Sequence, residues 1–236
     1  MDAPYVDIHT HRRHGMAIEM VSVMAGPNLR ESAAVSSAAL AGTASAEREL
    51  PSPPFSIGIH PWQVAALDSE STLEALHEVE TAPAAAIGEV GLDFSPACEA
   101  DPERQKEIFE AQLRIASARH LPVVLHCVRA FEETMAILAR HNPPAVIFHG
   151  FIGSPEQAVR ATDKGYYLSM GERSLSSPKT VEALHGTSLE NLLLETDDSP
   201  APIAEIYSRV AGILGVNRET LAQTIYKNYE RLARKN

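Results

Sequence analysis

Eight short apolar runs, half of them unbroken inside by a polar side chain, leave this chain few ways to fold. They fall at residues 5–9, 19–24, 55–59, 85–89, 122–126, 145–149, 166–170 and 191–195. Val123–Val124–Leu125, Val146–Ile147–Phe148 and Leu192–Leu193–Leu194 show no polar alternation. A sheet wet on one face would alternate, whereas a continuous apolar run marks a parallel strand covered on both faces. Helix signals stand between the later runs. Asp101–Pro102–Glu103 reads as an N-cap followed by proline at the first helical position. The helix it opens runs to about Arg119 on a stripe of Ile108, Phe109, Leu113, Ile115 and Ala116. His120 follows, where a cation suits the negative end of a helix. Ser154–Pro155–Glu156–Gln157 has the form of a capping box. Further helices are predicted over 70–80, 130–140, 178–185, 201–214 and 218–233.

Alternating strands and helices predict an α/β protein with right-handed crossovers. Eight strands in 236 residues predict a (β/α)8 TIM-type barrel in a single domain over residues 1–236. A doubly wound open sheet would give a similar period. The first third departs from it. Between His9 and Glu19 there is too little chain for a helical crossover, so the barrel is expected to be distorted, with its first crossover helix missing. Residues 25–54, rich in Ala, Ser and Pro, give no clear pattern.

Charge limits the partners. With 20 basic and 31 acidic side chains the net charge is −11, which repels a polyanion at long range. No stable nucleic-acid complex is expected; transient contact centred on bound cations is compatible with the charge, because such ions reverse the local potential. No apolar run approaches the roughly 20 residues of a membrane span. MDAPYVDIHTH at the N-terminus is acidic and enters a strand directly, unlike a signal peptide. Cys98 and Cys127 make no disulfide framework, and the cytoplasm is the expected compartment.

The ten histidines fall in two groups. His14, His77, His120, His141 and His185 lie in loops, in helices or at helix ends, where solvated or capping roles suffice. His9, His11, His60, His126 and His149 lie at or just past the C-terminal ends of predicted strands. In a parallel barrel that is the catalytic face. His9 and His11, two apart on one strand, point the same way and can share a cation. Glu89 ends an apolar strand, where a carboxylate is costly unless paired or bound to metal, and its two oxygens can bridge two cations. Asp197 ends the last strand and can both bind a cation and hold an attacking water. Asp93 and Glu195 are read as supporting groups, Arg12 and Arg13 as a solvated pair or as phosphate receivers. Trp62 is read as a cover of the barrel rim, with base stacking as the alternative. The chain carries no P-loop, no GxGxxG and no nucleophile elbow.

These motifs, in this order, resemble the TatD family of metal-dependent hydrolases, described as deoxyribonucleases, within the amidohydrolase superfamily. The resemblance rests on Asp7–Ile8–His9–Thr10–His11, Gly58–Ile59–His60–Pro61, Gly88–Glu89–Val90–Gly91–Leu92–Asp93, Gln105 with Gln112–Leu113, Leu121–Pro122–Val123 leading to His126, His149–Gly150–Phe151, Tyr167–Leu168–Ser169 and Leu192 to Asp197. It implies a dinuclear site in which His9 and His11 hold one cation, His126 and His149 the other, Glu89 bridges, and Asp197 is ligand and general base. It implies a substrate-binding role for His60, and for Arg129, which stands three residues after His126 where the family has an arginine two residues on. The missing first helix and the short segment after Asp197 open the active-site face.

The expected function is a divalent-metal-dependent hydrolase, a phosphodiesterase or deoxyribonuclease acting transiently on DNA ends or a small phosphoester by metal-activated water. The alternatives are hydrolysis of a small ester, lactone or amide, and a non-catalytic barrel. Two divalent ions are expected, of Zn, Mn, Ni or Mg.

Overall fold

A computed structural model describes residues 3–13, 15, 17–26 and 54–233. Eight parallel strands form one sheet in strict chain order: β1 Val6–Thr10, β2 Ile18–Met24, β3 Phe55–Gly58, β4 Ala86–Asp93, β5 Val123–Val128, β6 Val146–Phe148, β7 Tyr167–Met170 and β8 Leu192–Leu194. The sheet curls into a barrel. A parallel bridge between Thr10 and Asp197 joins the first strand to the chain just beyond the last. It is made by His11 N–H to Asp197 C=O at 3.1 Å and Asp197 N–H to His9 C=O at 3.0 Å. The strands read as apolar because they are covered on both sides: every residue of β1, β3, β4, β6, β7 and β8 is buried.

The outer layer is α1 Ser69–Thr81, α2 Pro102–Arg119, α3 Phe131–His141, α4 Pro155–Thr162, α5 Glu172–Leu175, α6 Pro178–Gly186, α7 Ile203–Leu214 and α8 Arg218–Ala233. The cap signals act as the sequence proposes. Asp101 accepts from Arg104 N–H at the head of α2, and Ser154 and Gln157 form the capping box of α4. His120 ends α2 by a different means from its charge: it adopts the left-handed conformation, with φ 54°, and its N–H reaches back to the last turn.

β1 and β2 pair in parallel with only residues 11–17 between them, so the first crossover carries no helix among the described residues. His14 and most of the unpatterned stretch, residues 27–53, lie outside the described residues. Two glutamines from α2 fix the mouth of the barrel. Gln112 accepts from Ile59 N–H and donates to Ile59 C=O, and Gln105 does the same with Asp93. Seven residues apart, they lie on one face of the helix and clamp the ends of β3 and β4. No helix among the described residues is long and apolar enough to cross a membrane.

Candidate metal centre

All five strand-end histidines, Glu89 and Asp197 meet at the C-terminal mouth, arranged around the two oxygens of Glu89. Oε1 faces His9 Nε2 at 3.3 Å and His11 Nε2 at 3.2 Å. Asp197 Oδ1 closes that set, 3.6 Å from His9 and 3.4 Å from His11. Oε2 faces His149 Nε2 at 2.8 Å, His126 Nδ1 at 3.7 Å and His60 Nε2 at 3.7 Å. His126 Nδ1 is itself 3.2 Å from His60 Nε2 and 3.4 Å from His149 Nε2. His60 thus stands among the donors rather than apart from them.

The separations of 3.2 to 3.4 Å around Glu89 Oε1, and between His126 and its two neighbouring imidazoles, suit donors around a cation, whereas His149 to Glu89 Oε2 at 2.8 Å is a hydrogen-bond length. With bonds of about 2.1 Å, neighbouring ligand atoms stand roughly 3.0 to 3.4 Å apart. Both ring nitrogens of the wholly buried His9 lack a hydrogen-bond partner, as does His149 Nδ1. A buried polar nitrogen left unpaired costs on the order of 1–3 kcal/mol. Three overlapping sets of donors lie close enough to share an ion: His9, His11 and Glu89; His9, His149 and Asp197; His60, Glu89 and His126. Neutral imidazoles and carboxylates are the chemistry of divalent first-row metals, so the residues fit such ions.

A second ring of contacts holds the donors: it includes Asp93 and Glu195, expected from the sequence as supporting groups, and Ser22 and Asp7, to which the sequence assigns no role. Asp93 Oδ2 lies 3.1 Å from His126 Nε2 and orients that ring. Ser22 donates to Glu89 Oε1 at 3.3 Å. Asp7 accepts from both the N–H and the hydroxyl of Thr196 and so fixes the residue before Asp197. Glu195 accepts from Gly150 N–H at 2.6 Å, tying β8 to the turn after His149. Arg129, left-handed at φ 54° and exposed, lies on a cleft of about 430 Å³ that His149 also lines, with Phe94, Phe131, Phe151, Ile152 and Lys179. Lys179 had no signal in the sequence, since it sits near the start of an ordinary surface helix. Cys98 and Cys127 are free thiols.

Without cations the cluster is an ion-pair network. Burial opposes charging His11, but the Asp197 and Glu89 carboxylates outweigh it and push its pKa up to about 10. Burial likewise opposes charging His9 and His149, and Glu89 overrides it in both. Glu89 and Asp197 are driven below the usual carboxylate range, because the surrounding imidazoles outweigh their burial. His60 goes the other way: burial, against Glu89, pushes it down to about 3.

Cation uptake must displace the protons on these imidazoles. His11 has a folded value of about 10 against an ordinary 6.5, so its stabilisation is full below pH 6.5 and is lost as pH rises towards 10. Glu89 and Asp197 stabilise above the ordinary carboxylate range, and that contribution is lost on acidification. The chelated protein is therefore expected to be most stable between about pH 5 and 6.5 and to melt progressively lower from there to pH 10. The melting increment given by saturating Zn or Mn should grow over the same interval, since each displaced proton tightens apparent affinity about tenfold per pH unit. Thermal melts with and without chelator test this. An increment independent of pH would exclude proton-linked binding at these histidines.

A closed barrel of parallel strands with a His and carboxylate cluster at its C-terminal mouth defines the class of metal-site α/β barrels. Within that class the chain belongs to the TatD-related DNase family, whose sequence profile matches residues 6–234. It is 36% identical over 156 residues to the metal-dependent hydrolase YjjV of Escherichia coli, a match covering 62% of this chain and 58% of YjjV. It is 30% identical over 238 residues to the 3′-5′ ssDNA/RNA exonuclease TatD of Escherichia coli, covering 89% of this chain and 86% of that one. The crystal structure of YjjV superposes with a TM-score of 0.78 over 98% of both chains, at 22% identity, and shares the fold.

Proposed function

We propose that this chain is a divalent-metal-dependent phosphodiesterase acting on DNA ends, carried by one barrel domain spanning residues 1–236. The observation that carries the reading is the division of Glu89: each of its oxygens faces its own set of donors, the arrangement a pair of bridged cations needs. Membership of the TatD-related DNase family supports it, as does similarity to relatives named as nucleases. Two cations bound there would polarise a scissile P–O bond and lower the pKa of a coordinated water. Their identity is proposed as Zn, Mn, Ni or Mg.

The chain's own residues do the rest. His9 and His11 present neutral nitrogens to the first position, and His126 and His149 to the second. His60, held neutral by its burial, adds a donor or a substrate contact beside His126. Asp197, part-exposed and ionised, holds the attacking water and takes its proton. Arg129 and Lys179 offer positive charge to a substrate phosphate along the cleft beside His149. Strand contact is proposed to be transient, given the net charge of −11. The cytoplasm is the proposed compartment, supported by two unpaired cysteines.

Hydrolysis of a short single-stranded DNA and of bis-p-nitrophenyl phosphate, after chelator stripping and return of Zn, Mn or Mg, tests the proposal. Metal-restored cleavage of both is expected. Bound metal with no phosphodiester cleaved would overturn the nuclease reading in favour of a small carboxylic ester, lactone or amide.

A further inference from the structure

Trp62 stands at the rim with much of its ring open to solvent. It is 57% exposed, although its surroundings hold it firmly. Its indole N–H donates to Asp93 Oδ2 at 2.7 Å, and Asp93 is only 2% exposed. Its backbone N–H donates to His60 Nδ1 at 3.1 Å. The surrounding 3-10 turn, Pro61–Ala66, is closed by a capping box between His60 and Gln63. A side chain this exposed would ordinarily be free to change rotamer; here the ring is fixed before any ligand arrives, so ordering it on binding costs little. The same Asp93 oxygen contacts His126, which places the indole one carboxylate away from the candidate donors.

Among the described residues the exposed large apolar side chains are Trp62, Leu73, Ile152 and Val159. Leu73 and Val159 lie on the outer helices α1 and α4, whereas Trp62 and Ile152 follow His60 and His149 at the mouth. A fixed aromatic face beside a phosphodiester site offers contact to a flat apolar group. The overall charge of −11 works against holding a strand by phosphate contacts alone, and base–aromatic stacking needs no positive field.

We propose that Trp62 is a preset stacking platform for an unpaired nucleobase of the substrate strand. This rests on the nuclease reading above. A paired base already spends its face inside the duplex and must be unstacked to reach the indole.

Trp62 is the chain's one tryptophan, so its emission reports this contact directly. Metal-loaded protein would be titrated with a cleavage-resistant, phosphorothioate-ended oligodeoxynucleotide, with binding followed by anisotropy of a label at its far end. Tryptophan emission should change in step with the anisotropy. On a cleavable strand, Trp62→Ala should raise KM about tenfold and Trp62→Phe should recover most of the loss. Making the last two 3′ nucleotides abasic should raise KM of the unmodified protein similarly and abolish the difference between it and Trp62→Ala. Emission that stays constant while anisotropy saturates would overturn the proposal. So would Trp62→Phe matching Trp62→Ala through lost kcat on bis-p-nitrophenyl phosphate, since the indole would then serve only to hold Asp93 and His126. If no strand is bound and no phosphodiester is cleaved, the nuclease reading falls and this inference with it; cleavage of DNA without a Trp62 signal removes the inference alone.

Discussion

Glu89→Gln is expected to lower kcat/KM on a phosphodiester by about 10³-fold or more, because it removes the carboxylate whose two oxygens face the two donor sets. The substitution keeps shape and volume, and its amide oxygen can still accept from Ser22. What is lost is the charge and one of two equivalent acceptor oxygens. The amide nitrogen then faces one set of imidazoles with hydrogens where a lone pair was needed. Bound divalent metal, measured after dialysis, should fall together with activity. The variant also leaves protonated imidazoles beside a neutral group in the chelated protein, so the high pKa values of His9 and His149, which Glu89 sustains, should fall. Normal metal content with normal turnover in Glu89→Gln would remove the carboxylate from the centre and with it the proposed chemistry.

The largest effect on folding is expected at Gly91. It pairs with His126 across β4 and β5, at φ 138°, and a Cβ there would collide with the His126 carbonyl oxygen. Gly91→Ala therefore combines a backbone conformation closed to L-residues with a clash against a neighbouring strand. A loss of about 3–5 kcal/mol is expected, lowering the melting temperature by roughly 10 °C. Relief of the clash pushes β5 away at His126, so metal binding should weaken as well. Gly165→Ala is the natural comparison. Its φ is 76° but nothing lies within 4 Å of the added Cβ, so about 1 kcal/mol is expected from conformation alone. Equal melting temperatures for the two variants would show that β4 and β5 part without cost.

The barrel was readable because its strands are buried on both faces: Val123–Val124–Leu125 has no reason to alternate. The helices were readable where short side chains satisfy orphan N–H groups, as Asp101 and Ser154 do. The apolar run at 85–89 predicts a strand ending at Glu89, and β4 runs on to Asp93. It is Gln105, twelve residues on in α2, that clamps Asp93 at the strand end. The donors could be found one by one, since each is a polar residue at the end of an apolar run. Their division between the oxygens of Glu89, and the place of His60 among them, depends on ring orientations that no spacing encodes. The link from Trp62 through Asp93 to His126 joins residues from three strand ends. In the sequence each could be weighed only alone, and alone an exposed tryptophan after a His–Pro turn reads as packing.

The bridge that closes the barrel is made by the backbones of His9, His11 and Asp197, three of the residues proposed to hold the first cation. The seam between the beginning and the end of the chain is thus stitched at the same point where an ion would be gripped. An ion bound there would act as a rivet through both edges, and a barrel that begins to unzip would release it. Loss of a cation bound there and loss of circular continuity would then be one event rather than two.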